Sequence, residues 1–351
     1  MKRISLLLLP AVFCLSILSA YAQTDTATRG RQIGAQATPT PTPTATASPA
    51  PTKFGEEDVV HYVETELVNI NVRVVDRNNR PINNVPESQF KIYEDGVLQR
   101  IGFFSKSEVP TNYSMVIDNS GSLRFKIDQI IEASKILVGT NRKDDETSII
   151  RFVSSDKIEV LQDFTKNKTD LNDALDSLYI EGGQTAIIDA VYLAAQKVTE
   201  YEKHTNNVDR MRRALVLVSD GEDRDSFYKE EQLFELLRES DVQIYVVGFI
   251  GDLSRDSGFI SKSPQGKAKA FLERLASETG GRAYFPAGTG ELNGIASEIA
   301  GELRTQYSIG YIPTNDRLDG TFRNIKVQVD DGPGSQKRIA ITKAGRTADK
   351  Q

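Results

Sequence analysis

The chain has 351 residues, 39% hydrophobic and 26% charged, an ordinary balance for a folded protein and enough length for two domains. A formal net charge of -6 argues against a nucleic-acid-binding or anionic-membrane-binding protein. One cysteine, Cys14, and two histidines, His61 and His204, leave little room for thiol or histidine chemistry.

Residues 1–22 read as a secretory signal peptide. Lys2 and Arg3 are its basic part, Leu6 to Leu18 its apolar part, and Ala20 and Ala22 the small residues before a cleavage site at Gln23. The apolar run falls short of the ~20 residues of a spanning helix, and no later segment reaches that length with so few charges. Phe13 is not the small residue that a lipoprotein cysteine needs before it. The mature chain is therefore expected to carry no cysteine and no membrane span, and to be secreted or periplasmic. Residues 23–56 read as a linker. Pro39 to Thr52 is rich in Pro, Thr, Ala and Ser, with little to bury, and stays extended and solvated.

Residues 57–110 read as a β segment. Leu67 to Val75 alternates apolar and polar residues, the period of a half-buried strand. Phe90 to Glu94 and Gln99 to Phe104 flank Asp95-Gly96, a hairpin signal. About fifty residues is a thin basis for a separate core. The missing strands are expected in residues 305–344, where Gln306 to Ile312, Arg323 to Val329 and Ile339 to Ile341 alternate in the same way. Residues 345–351 read as a tail.

Between these segments, residues 111–304 alternate apolar strands with helical patterns, the signature of a mostly parallel sheet covered by helices. Strands are expected at Tyr113 to Ile117, Glu146 to Val153, Lys157 to Phe164, Ala214 to Ser219, Val242 to Phe249 and Arg282 to Phe285. Helices are expected at Ile127 to Val138, Thr185 to Tyr201, Tyr228 to Arg238, Phe271 to Glu278 and Leu292 to Leu303. The second and third strands are joined by only Ser154-Ser155-Asp156 and should be antiparallel at a sheet edge.

The first of these strands runs into Asp118-Asn119-Ser120-Gly121-Ser122. In an extended or gently turning segment alternate side chains point the same way, so Asp118, Ser120 and Ser122 converge. One carboxylate and two hydroxyls are hard oxygen ligands suited to Mg²⁺, too few to complete an octahedral site alone. Downstream, Gly182-Gly183-Gln184-Thr185 opens a helix, and Ser219-Asp220-Gly221 follows the apolar strand at Ala214 to Ser219. Ligands of open α/β sheets gather at the carboxyl ends of strands, where both aspartates fall. Thr185 follows no visible strand.

These three loops, in this order, resemble the D-x-S-x-S, threonine and aspartate loops of the von Willebrand factor type A (VWA) family. The resemblance covers about 190 residues. It implies a metal-ion-dependent adhesion site (MIDAS) made of Asp118, Ser120, Ser122, Thr185 and Asp220, holding Mg²⁺, Mn²⁺ or Ca²⁺. Such an ion takes a carboxylate from a partner protein. In that family the last helix can shift when the site engages a ligand. The order of signal, Pro-rich linker, β segment, A-type domain and further strands is similar to secreted bacterial VWFA-related proteins. The expected fold is thus a doubly wound α/β domain inserted between β segments that form a smaller β-sandwich. Asp189 is expected to satisfy nearby backbone groups, and Glu222 and Asp223 to face solvent.

The leading function is metal-assisted protein binding or adhesion. One alternative is a structural subunit of an exported complex in which the metal only stabilises the fold. A hydrolase or phosphotransferase fits less well. A phosphoryl-accepting Asp118 of the haloacid-dehalogenase-like pattern would need an acid where Ser120 stands, and neither histidine has a Ser or Cys partner in a known motif. An EF-hand beginning at Asp118 would need Gly and Glu where Leu123 and Gln129 stand.

Overall fold

The computed structural model describes residues 67–106, 109–204, 211–253 and 263–350. The chain divides into two units, Met1–His61 and Tyr62–Gln351, and every described residue belongs to the second. The expected signal peptide, linker and His61 lie outside the described residues.

Four strands precede the α/β unit: β1 (Val68–Val75), β2 (Phe90–Glu94), β3 (Val97–Gln99) and β4 (Ile101–Ser105). The α/β unit follows as β5 (Thr111–Asp118), α1 (Ile127–Gly139), β6 (Glu146–Phe152), β7 (Ile158–Thr165), α2 (Lys168–Asp176) and α3 (Ile187–His204). It continues with β8 (Arg212–Ser219), α4 (Glu230–Glu239), β9 (Val242–Gly248), α5 (Pro264–Glu278), β10 (Arg282–Tyr284) and α6 (Leu292–Arg304). Four last strands return to the first group: β11 (Tyr307–Tyr311), β12 (Phe322–Val329), β13 (Ile339–Ile341) and β14 (Gly345–Thr347).

The central sheet has the order β10-β9-β8-β5-β6-β7, parallel throughout except for the antiparallel edge pair β6–β7. Alternation along β5 divides the core. Tyr113, Met115 and Ile117 pack with α1, α2 and α6 on one face. Val116 packs with α3, α4 and α5 on the other. Because β5 leads into α1 and β8 into α4, the connections after these neighbouring strands diverge to opposite faces. They leave a crevice at the strands' carboxyl ends, the usual ligand position in such sheets.

The flanking strands form two antiparallel sheets, β13-β1-β11-β4 and β14-β12-β2-β3, each drawing on both ends of the chain. Their inner faces share one core, including Ile70, Val72, Ile92, Tyr307, Ile309 and Val327. The chain leaves this sandwich after Ser105 and returns at Tyr307 and Ser308, and Ser105 pairs with Ser308.

Three local features differ from the sequence reading. The hairpin partner of β2 is β3, not a strand over 99–104. Asp95 and Gly96 both have positive φ, the two-residue turn that starts the return strand at once. The chain then crosses to the other sheet, where β4 pairs with β11. Residues 345–347, expected in the tail, form β14 against β12. Helix α2 was not expected. Its polar sequence buries only Leu171 and Leu175, and Asn167 caps it by accepting from Thr169 N–H. Asn112-Tyr113-Ser114, which matches a glycosylation acceptor pattern, lies buried in β5.

Candidate functional site

Asp118 ends β5 and is fully buried. It shares its strand face with Val116, the face that α3 covers. That parity explains how Thr185, two residues before α3, comes to the same end of the sheet without a strand leading into it. Ser120 N–H donates to Asp118 Oδ1 (2.9 Å), and Ser120 Oγ and Ser122 Oγ share a hydrogen bond of 2.9 Å. Ser122 is exposed, whereas Ser120 is buried.

Asp220 follows β8, the parallel neighbour of β5, and is also buried. Its Oδ1 accepts from Glu222 N–H (3.0 Å). Gly221 completes the turn at φ +81°, with Ala268 and Leu272 of α5 against its Cα, so a side chain there would be both strained and crowded. Ser219, which the sequence reading did not single out, donates from Oγ to Asp118 Oδ2 (2.7 Å) and accepts from Gly221 N–H (3.1 Å). The register pairing Ile117 with Val218 sets Ser219 beside Asp118, so the signal lay in strand alignment and not in a motif.

The three loops are laced by backbone bonds. Glu181 N–H donates to Asn119 O (2.9 Å), and Asn119 Nδ2 donates to Tyr179 O (2.6 Å). Arg224 N–H and Asp225 N–H donate to Thr185 O (2.8 and 3.2 Å). Asp189 satisfies backbone groups as expected, accepting from Phe227 N–H and Tyr228 N–H (both 2.8 Å). Asp223 does not simply face solvent. Its Oδ1 accepts from Ile188 N–H (3.2 Å) in the first turn of α3 and from Ser226 Oγ. Glu222 pairs with Arg224.

Burial pushes the Asp118 carboxyl up to about 6, and the Asp220 charge pushes the same way, against the hydrogen bonds from Ser120 and Ser219. Among the described residues no Lys or Arg pairs with either carboxylate. No group of three His, Cys, Asp or Glu side chains suited to a metal occurs among the described residues either. Asp118, Asp220, Ser120, Ser122 and Thr185 carry two carboxylates and three hydroxyls, all hard oxygens, and Asp118, Asp220, Ser120 and Thr185 are buried. That chemistry fits a hard divalent cation.

The von Willebrand factor type A domain profile matches residues 114–298. No curated protein matches the chain. Similar solved structures include an aerotolerance-related membrane protein from Bacteroides fragilis, at 19% identity over 55% of this chain and 98% of that one, with a TM-score of 0.42. A von Willebrand factor type A protein from Catenulispora acidiphila has 12% identity over 75% of this chain and 74% of that one, with a TM-score of 0.45. Proximal thread matrix protein 1 from the mussel byssus, with a zinc-occupied MIDAS motif, has 17% identity over 56% of this chain and 48% of that one, with a TM-score of 0.42.

Proposed function

The chain belongs to the von Willebrand factor type A domain family, and on that footing we propose that it is an exported binding module that grips a carboxylate of a partner protein through a bound divalent cation. Domains of this family are generally non-catalytic binding modules. The observation that carries the proposal is the pair Asp118 and Asp220, both buried, with no Lys or Arg paired to either among the described residues. Asp118, Ser120, Ser122, Thr185 and Asp220 would hold the ion, with Mg²⁺ first and Mn²⁺ or Ca²⁺ as alternatives. A bound ion supplies positive charge and an open coordination position for one carboxylate oxygen.

The chain's own residues prepare that position. Ser219 and the Ser120 amide fix both oxygens of Asp118, so the carboxylate is oriented before any ion arrives. The bonds from Arg224 and Asp225 to Thr185 O hold the second and third loops together. The basic start, apolar run and Ala20-Tyr21-Ala22 of the N-terminus support export.

The test pairs a thermal shift with capture. Mg²⁺ should raise the melting temperature of the wild-type protein and leave Asp118→Ala unmoved. A partner from the exported fraction should be retained in Mg²⁺ and released by chelator. Equal Mg²⁺ stabilisation of wild type and Asp118→Ala would rule the site out. A metal-dependent shift with chelator-indifferent capture would leave the ion a structural role only.

A further inference from the structure

We propose that Phe125, Tyr179 and Phe227 form an apolar rim around the candidate cation site, and that the partner segment carries apolar side chains on either side of its acidic residue. This inference rests on the carboxylate-binding reading above and names the kind of sequence that would satisfy it.

The exposed aromatic side chains among the described residues are Phe103, Phe125, Tyr179 and Phe227. Phe103 lies in the sandwich. The other three fall one on each loop that builds the site. Phe125 is 90% exposed and sits three residues after Ser122, in the tight turns that Arg124 N–H to Gly121 O and Lys126 N–H to Leu123 O close. Phe227 is 80% exposed and follows Asp220 on the third loop, its backbone N–H fixed on Asp189. Tyr179 is 53% exposed and precedes Thr185, its carbonyl held by Asn119 of the first loop.

Single exposed apolar residues are common on protein surfaces and need no explanation. Here the two most exposed large apolar side chains of the described residues lie on two of the loops that carry the candidate ligands, and the loop before Thr185 bears another exposed aromatic. The backbones beneath them are tied down, so burying the rings against a partner orders little besides the rings. Tyr179 is fixed further: its hydroxyl accepts from Arg151 Nη2 (2.8 Å), and the Arg151 guanidinium lies 4.4 Å from the ring centre. Preorganised aromatics around a desolvated polar centre are the usual anchors of an interface.

Arg124 and Lys229 adjoin the rim residues and are exposed, as are the acids Asp128, Asp223 and Asp225, so the cation site itself supplies the pull on an acidic residue. An acidic residue set between apolar neighbours would meet a cation at its centre and aromatic rings around it, which a lipid headgroup at the membrane surface would match less closely.

The experiment pans a randomised nine-residue peptide library with Glu fixed at the centre, in Mg²⁺, against the wild-type protein and against Phe125→Ser/Phe227→Ser. Both positions are exposed, and the Mg²⁺-induced thermal shift of the double variant should match wild type, which reports an intact fold and ion site. Wild type should enrich apolar residues on both sides of the Glu. The selected peptides should bind the double variant about tenfold more weakly or worse. Each single variant should show some of that loss. Mg²⁺- and Glu-dependent binding without apolar enrichment, or with equal affinity for wild type and variant, would overturn the rim and leave the carboxylate reading standing. Selected peptides that bind equally in chelator, or with Glu→Gln, would overturn the carboxylate reading and the rim's role with it. Binding to zwitterionic lipid vesicles that is lost in the double variant, with no peptide selected, would overturn the peptide partner in favour of a membrane.

Discussion

At Asp118 two demands conflict. The carboxylate is buried beside a second acid, yet the proposed site needs it ionised. Burial raises its pKa to about 6 from the ordinary carboxylate value near 3.8. The folded state therefore binds this proton more tightly than the unfolded chain does. The group's contribution to stability is full below about pH 4 and is lost as pH rises through about 6. Above pH 6 the folded protein carries this charge buried, and the proposed cation would relieve it. Mg²⁺ stabilisation measured by thermal melts should accordingly be larger at pH 8 than at pH 5, and Asp118→Asn should flatten the difference. Ser219→Ala removes the donor to Asp118 Oδ2 and should cost about 1–2 kcal/mol of Mg²⁺ affinity by titration calorimetry, roughly a tenfold loss. The five ligand candidates were legible because their residue types and order form a motif. Ser219 was not, because its role comes from standing opposite Asp118 in a neighbouring strand.

Elements read well where hydrophobic periodicity was strong and poorly where capping or turn chemistry decided. The apolar β5, β8 and β9 fall where expected, β5 and β9 buried along their whole length and β8 at every residue but Arg213. Helix α5 begins at Pro264, earlier than its apolar spacing suggested, because Ser263 caps it by accepting from Gly266 N–H. Helix α6 has a role that no local pattern discloses. Its Glu302, nearly inaccessible, pairs with Arg73 of β1 and with Arg282 of β10. Removing one side of a buried pair typically costs about 3–5 kcal/mol, because the remaining charge is stranded. The two sides are unequal here. Arg73→Met leaves Glu302 its bond to Arg282 (2.8 Å), whereas Glu302→Ala leaves Arg73 with a long hydrogen bond to Gly281 O at 3.4 Å. Denaturant unfolding should therefore place Glu302→Ala near the upper end of that range and Arg73→Met clearly below it.

For the molecule as a whole, the sequence showed two incomplete β segments, and only three-dimensional pairing makes them one sandwich. The junction is tight. Thr305 and Gln306 alone separate α6 from β11. Gln306 Nε2 donates to Gln243 Oε1 (2.9 Å) and Glu302 O (3.1 Å), and Arg212 donates to the carbonyls of Leu303 and Gln306. Beyond it, the Tyr307 hydroxyl donates to Ile82 O and accepts from Val85 N–H, both at 3.0 Å. A displacement of α6 has no slack to take it up, and packed elements move between discrete arrangements. Hydrogen exchange across residues 300–312 should therefore change when the ion and a carboxylate ligand bind. A Gly-Ser insertion after Arg304 should abolish the change while leaving Mg²⁺ binding intact. Exchange indifferent to ligand in the native chain would make the sandwich a passive stalk.

The antiparallel pairing of β1 with β11 sets how the molecule carries tension. A pull at Val68, opposed by a load on the α/β unit, would draw β1 from its N-terminal end. The α/β unit draws β11 from Tyr307, also an N-terminal end. In an antiparallel ladder these ends lie at opposite extremes, with Val68 facing Tyr311 and Tyr307 facing Val72. The force then runs along the strands in shear, so the five registered residue pairs bear it together and do not separate in sequence. Strand β13, paired with β1 on its other side, braces it against sliding. Pulled at Val68 against Tyr307, the β1–β11 ladder would thus resist as a unit, in shear.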